Sequence, residues 1–250
     1  MCRHVAYVGG PVALGELLVR PEHGLLRQSW EPRHQTSGVV NADGFGVGWY
    51  AEGDPVPARY RRAAPIWGDL SFADLARVVR SRALLAAVRG ATLPGADGEG
   101  AAAPFTAGPW LFSHNGAVTG WPGSLAGIAG TLPAEALLHL EARTDSALLW
   151  ALVLHRLRAG DAPGTALADT VREVGAAAPG SSLNLLLTDG TTVTATTWGN
   201  SLWYLPGPGH MAVASEPYDD DPRWREVPEH TLVTADRYDV TLTPLKEPSA

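Results

Sequence analysis

Cysteine occurs once in the 250 residues, and it stands at position 2. Removal of Met1 would leave a chain that begins with a free amino group two bonds from the carbon bearing the thiol, so that nucleophile and base share one residue. An α-amino group has a pKa of about 7.7 to 8.0, near enough to neutrality to take the thiol proton directly or through one water, which is the chemistry of N-terminal nucleophiles. In isolation, a Cys at this position also fits a frayed terminus with no role. Further along, the run Ser113-His114-Asn115-Gly116 follows an apolar strand pattern. Asn115 offers a side-chain amide and Gly116 an unobstructed backbone N–H, two donors suited to the oxyanion of a tetrahedral intermediate. Read alone, Asn-Gly is equally a tight turn. Arg89 closes the apolar run Leu84 to Val88, with Thr92 three residues on. A guanidinium fixed at a strand end can grip a carboxylate through two charge-assisted hydrogen bonds. Asp145 opens a helical pattern, either as a capping residue or as an acceptor for an ammonium group. An Arg and an Asp meeting in one pocket would hold both ends of an α-amino acid.

Composition narrows the chemistry by exclusion. A single thiol leaves no internal disulfide, no Cys-rich zinc site and no iron–sulfur cluster. All but one of the basic residues are Arg, and the lone Lys, Lys246, argues against a P-loop ATPase or a pyridoxal-phosphate Schiff base. With 26 acidic against 19 basic residues and a net charge of -7, nucleic acid is not an expected partner. The eight His include no HExxH and no pair at i, i+4, so no metal site is expected. The longest uninterrupted apolar run, Ala147 to Leu154, falls short of the roughly 20 residues that span a bilayer. No signal-peptide pattern opens the chain, and the expectation is a cytoplasmic protein, away from membranes, with Cys2 as a free thiol.

The elements that must position these residues follow from hydrophobic period and turn chemistry. Strand patterns run over His4 to Val8, Phe45 to Tyr50, Leu84 to Val88 and Trp110 to His114. A later block, Leu183 to Leu187, Thr192 to Trp198, Leu202 to Leu205 and Met211 to Ser215, is punctuated by Asp189-Gly190 and Gly199-Asn200, which reads as an antiparallel meander with tight hairpins. Thr231 to Thr234 and Tyr238 to Leu242 would extend it. Helical patterns start at Ser71, with the Ser as cap, at Pro133, at Thr144 or Asp145, and over Thr165 to Val174. Glycines 44, 46 and 48 share one strand face, stripped of side chains for the approach of another backbone or of substrate, unless they mark a bulge. The loop from Thr92 to Ala103 reads as mobile and placed over a site. Strands, helix, strands, helices, strands in that order predict an α+β fold of two mostly antiparallel sheets with helices outside.

Taken in order, Cys2, the Asn41-Ala-Asp-Gly-Phe-Gly-Val-Gly-Trp49 run, Arg89 with Thr92, Ser113 to Gly116 and Thr144-Asp145-Ser146 resemble the class II glutamine amidotransferases, which are N-terminal nucleophile hydrolases. The resemblance implies a four-layer αββα sandwich filling residues 2 to 250 as one domain. It implies Cys2 as nucleophile, Asn115 and the N–H of Gly116 as oxyanion hole, and Arg89, Thr92, His114 and Asp145 as substrate-binding residues, with no cofactor. Two departures, Ala147 where the family often has Glu and Gly90 beside the pocket Arg, touch the pocket wall and leave the catalytic groups in place. Three further stretches, Ala64 to Asp69, Leu183 to Gly190 and Ala214 to Trp224, look like the ergothioneine-pathway γ-glutamyl hydrolases of that family. They imply a small-molecule partner, γ-glutamyl-hercynylcysteine sulfoxide, and a stand-alone hydrolase. An aromatic or acidic wall, with Trp67 as its candidate, would face the trimethylammonium group. A glutaminase subunit feeding a separate synthase and a silent γ-glutamyl-binding domain remain as alternatives, and the oligomeric state is open.

Overall fold

The computed structural model describes residues 2–35, 38, 40–91 and 98–245. Its strands, in chain order, are β1 (Cys2–Ala13), β2 (Phe45–Trp49), β3 (Ala58–Arg62), β4 (Arg80–Arg89), β5 (Phe105–Ala107), β6 (Trp110–Ala117), β7 (Ser182–Thr188), β8 (Val193–Thr197), β9 (Trp203–Gly207), β10 (His210–Ala214), β11 (Arg225–Glu226), β12 (Thr231–Ala235) and β13 (Val240–Pro244). The α-helices are α1 (Leu14–Leu18), α2 (Leu25–Gln28), α3 (Leu70–Val78), α4 (Ala126–Ala129), α5 (Ala134–Leu138), α6 (Asp145–Ala159) and α7 (Pro163–Ala177). A seven-stranded sheet has the order β11-β9-β10-β1-β4-β2-β3, and a six-stranded sheet the order β13-β12-β8-β7-β6-β5. Every pairing is antiparallel.

Alternation along the strands builds the layers. Ala6 and Val8 of β1, Ala83 and Leu85 of β4, Leu111 of β6 and Leu186 of β7 meet between the two sheets. Val5, Leu84, Ala86 and Val88 turn the other way, onto Leu14, Leu17, Leu18, Phe72 and Ala76 of α1 and α3. Phe112, Leu183, Leu185 and Leu187 pack on Leu148, Leu149, Leu152, Val171 and Val174 of α6 and α7. The result is the expected αββα sandwich. Among the described residues no helix is long and apolar enough to cross a membrane.

The alternate glycines of β2 serve this layering. A Cβ on Gly46 would sit 2.4 Å from the Ala103 carbonyl oxygen, and one on Gly48 would sit 2.6 Å from a Leu111 methyl. The bare face therefore admits the Ala103 backbone and the Leu111 side chain of the opposite sheet and not a substrate.

Several local expectations need correction. Asp69, not Ser71, caps α3, its carboxylate accepting from the N–H groups of Ser71 and Phe72. Three short strands, β3, β5 and β11, were not predicted; β5 and β11 are only three and two residues long. In β3, an edge strand rich in arginine, Arg59 and Arg61 pair with Glu141 and Arg62 with Glu99, so ion pairs occupy the place of an apolar face. Thr92 to Pro94 and the rest of 92–97 lie outside the described residues, but the second half of that predicted mobile loop is packed. Ala101 and Ala102 are buried, and Ala102 O accepts from Arg61.

Gly199-Asn200 is not a hairpin. Asp189-Gly190 does join β7 to β8, but beyond Trp198 the chain leaves that sheet and crosses to β9 in the other, while β12 takes the edge of β8. The buried side chain of Asn184 satisfies the crossing backbone: its Oδ1 accepts from Trp198 N, and its Nδ2 donates to the carbonyls of Asn200 and Ser201. Without those bonds the crossing would bury unpaired peptide groups, at about 1–3 kcal/mol each.

Candidate active site

Cys2 and His4 lie on the inter-sheet face of β1, and Ser113 and Asn115 on the inter-sheet face of β6. Moving along the strands, the apolar filling between the sheets gives way at one end to Cys2, His4, Arg89, Asn115, Asn184 and Ser215. Cys2 and Arg89 are direct partners across the β1–β4 ladder, so the pairing register itself sets a guanidinium beside the thiol. Arg89 is braced by Asp43: its N–H donates to Gly44 O, its Nη1 to Asp43 O, and Asp43 N to its carbonyl. The Asp43 carboxylate accepts from Ala91 N at 2.7 Å and holds the turn that follows.

The Cys2 N–H donates to Asn115 Oδ1 at 3.2 Å, while Asn115 Nδ2 donates to Ser215 Oγ at 3.3 Å. Beside it, Gly116 permits a contact no other residue would: a Cβ there would fall 1.8 Å from the Ser182 carbonyl oxygen. Asp145 sits in the first turn of α6, behind the Thr144 cap, whose hydroxyl accepts from Ala147 N. Its carboxylate accepts from Val118 N at 3.0 Å and Ser146 N at 2.7 Å. Those bonds aim it across the cavity mouth, with negative charge at a helix N-terminus, where the dipole favours it.

Cys2, Arg89, Gly116 and Asp145 line one cavity of about 170 Å³, together with Trp121 and Arg143, and the fully buried Asn115 stands behind that wall, bonded to the Cys2 nitrogen. The volume suits an amino-acid fragment better than a drug-sized ligand. Burial pushes the Cys2 thiol up from its ordinary pKa; the Arg89 cation and the Gly90 N–H oppose that shift, and Asp145 adds to it. A thiol in this setting needs a base to ionise it. Larger cavities of about 550 and 910 Å³ contain none of the residues predicted from the sequence.

Of the predicted site residues, the structure brings together Cys2, Arg89, Asn115, Gly116 and Asp145. Thr92 lies outside the described residues. His114 is not on the cavity wall: it is buried, with Nδ1 on Ser146 Oγ at 3.0 Å and Nε2 on Ser182 O at 2.9 Å. Its ring lies on the helix-facing side of β6 with Phe112, enclosed between the start of α6 and β7 by the two groups that take its nitrogens. The Ser182 carbonyl can only accept, so Nε2 carries a proton and donates to it. His114 thereby ties β6 to β7 and to the start of α6. Trp67 is not in the cavity either; it is 42% exposed and packs edge-on against Trp30.

Sequence reasoning passed over four residues. Trp121 and Arg143 line the cavity, Asp43 braces Arg89, and Ser215 holds Asn115. Asp43 and Ser215 were inside motifs read for other features, whereas nothing local marks Trp121 or Arg143.

The model for class II glutamine amidotransferases matches residues 25–209. A γ-glutamyl-hercynylcysteine sulfoxide hydrolase from Mycolicibacterium smegmatis is 43% identical over 98% of this chain and 100% of its own length. Among solved structures, a glutamine aminotransferase class-II domain protein from Silicibacter pomeroyi superposes with a TM-score of 0.70 at 25% identity, covering 99% of this chain and all of that one. The glutamine phosphoribosylpyrophosphate amidotransferase of B. subtilis shares the fold, with a TM-score of 0.63 at 16% identity over 98% of this chain and 49% of that one. With two antiparallel sheets, a thiol and a guanidinium paired across the central strands β1 and β4, and a family match over most of its length, the chain belongs to the class II glutamine amidotransferases.

Proposed function

We propose that this protein hydrolyses the γ-glutamyl amide of γ-glutamyl-hercynylcysteine sulfoxide, yielding glutamate and hercynylcysteine sulfoxide, as a single catalytic domain over residues 2–250. The observation that carries this reading is the end-to-end likeness to the Mycolicibacterium hydrolase, with Cys2 retained opposite Arg89. Removal of Met1 frees the Cys2 amine. That amine takes the thiol proton, and the thiolate attacks the amide carbonyl. Gly116 N–H and the second Nδ2 hydrogen of Asn115 stabilise the oxyanion, a contribution of about a hundredfold to a thousandfold per donor. The C–N bond then breaks as the ammonium returns its proton to the leaving nitrogen. Water, deprotonated by the same amine, cleaves the glutamyl thioester and regenerates the thiol. Arg89 takes the α-carboxylate in a two-bond grip, and Asp145 takes the α-ammonium.

Purified protein, with loss of Met1 verified by intact mass, is assayed for glutamate release from the sulfoxide conjugate and from free glutamine. The reading expects turnover of the conjugate that greatly exceeds turnover of glutamine and vanishes in Cys2→Ala. High activity on glutamine with none on the conjugate would replace it with an ammonia-supplying glutaminase.

A further inference from the structure

Ser215 belongs to no group of residues that contacts substrate, yet its surroundings give it a defined task. It follows β10, fully buried, and its backbone is pinned on both sides: Ser215 N donates to His4 O at 2.9 Å, and its carbonyl accepts from Ser201 Oγ at 2.8 Å. Its hydroxyl oxygen accepts from His4 N at 3.0 Å and from Asn115 Nδ2 at 3.3 Å. We infer that Ser215 is a positioning residue that locks the Asn115 amide, keeping Oδ1 toward the Cys2 nitrogen and Nδ2 toward the oxyanion.

An amide has two orientations of nearly the same shape, and its hydrogen-bond partners choose between them. On one side of Asn115 stands the Cys2 nitrogen. As a peptide N–H or an ammonium it only donates, and it selects Oδ1. During catalysis that nitrogen also passes through the neutral amine, whose lone pair accepts, and Nδ2 could then turn toward it. A turned amide would withdraw the oxyanion donor at the moment it is required. Ser215 Oγ acts against this from the other side. Its oxygen takes the His4 N–H and the Nδ2 hydrogen together at a rigid strand end, so a turned amide would have to draw the Ser215 hydroxyl hydrogen into the contact instead, and the Asn115 backbone is fixed by its own carbonyl accepting from Asn200 Nδ2 at 3.1 Å.

This inference rests on the hydrolase reading above. Because Ser215 acts through Asn115, Ser215→Ala should lower kcat by about 10- to 30-fold, a part of the loss expected for a missing oxyanion donor, with KM within about twofold. In an Asn115→Ala background the same substitution should change single-turnover acylation by less than about twofold, the non-additivity expected of residues that work as a unit. Alkylation of Cys2 by iodoacetamide, which forms no oxyanion, should be unaffected. Additive losses in the double variant, a change in KM alone, or an unaltered kcat in Ser215→Ala would overturn the assignment while the wild type remains active. An inactive wild type overturns both readings.

Discussion

Replacing Gly116 with Ala tests fold and chemistry in one atom. The added Cβ would lie 1.8 Å from Ser182 O, 2.5 Å from Ser182 C and 2.6 Å from His114 Nε2. Ordinary carbon–oxygen contact needs about 1.6 Å more, and the obstructing atom is a backbone carbonyl that cannot swing aside. The strands β6 and β7 must part at Gly116, where residue 116 pairs with Leu183. Parting them strains the ladder and breaks the 2.9 Å bond from His114 to Ser182 O. Overpacking plus that lost hydrogen bond sums to about 1.5–4.5 kcal/mol of stability. A shift of about 1 Å also removes the Gly116 N–H from its place, so kcat should fall roughly a hundredfold to a thousandfold. Urea unfolding followed by circular dichroism gives the first quantity, and glutamate release from the sulfoxide conjugate gives the second. A Gly116→Ala protein within about threefold of wild-type kcat and 0.5 kcal/mol of its stability would refute the placement of this glycine against Ser182 and its role as a donor.

Arg89→Lys keeps the charge but loses the planar fork, so KM should rise about tenfold or more while kcat changes less; an unchanged KM removes Arg89 from carboxylate binding. Glu216 is fully buried, accepts from Arg33 N and His34 N at 2.9 Å, and faces the buried Arg3 guanidinium at 3.8 Å. Glu216→Ala should cost about 3–5 kcal/mol in denaturant melts, and an Arg3→Met, Glu216→Leu double variant should cost less than the single one. His4 is pushed down to a pKa of about 3, by burial first and then by the nearby Arg3 and His114. An unfolded chain protonates this ring near pH 6.5, so the unfolded state binds more protons between those values. Stability should therefore fall as pH drops from about 6.5 toward 3, by several kcal/mol at the end, and His4→Gln should lack that part of the loss.

Most of the strands were legible because strand alternation is a local pattern, and the centres of β1, β2, β4, β6, β7, β8, β9, β10, β12 and β13 lie within or beside the predicted runs. The same reasoning narrowed the cap of α6 to Thr144 or Asp145, where side chain and helix are neighbours in sequence, and the structure takes Thr144. It failed where a second strand decided the outcome. Gly199-Asn200 has the composition of a hairpin turn, but β12 competes for the edge of β8, and Asn184 makes the crossing affordable by bonding the peptide groups that leave the sheet. It also failed for β3, whose arginines are paired by acids distant in sequence.

For the site, residue type and order were sufficient to nominate Cys2, Arg89, Asn115, Gly116 and Asp145, because each carries a chemical group that few other side chains can supply. Tertiary structure decided which nominees share a cavity. Cys2 meets Arg89 through a ladder register, His114 is withdrawn from the cavity by bonds to Ser146 and Ser182, and Trp121 enters it in place of Trp67. The sequence alone determined that an N-terminal thiol, an amide, a guanidinium and a carboxylate were available in this order. Their convergence depended on cross-strand pairing and sheet packing, whose partners lie far apart in the chain and leave no local signal.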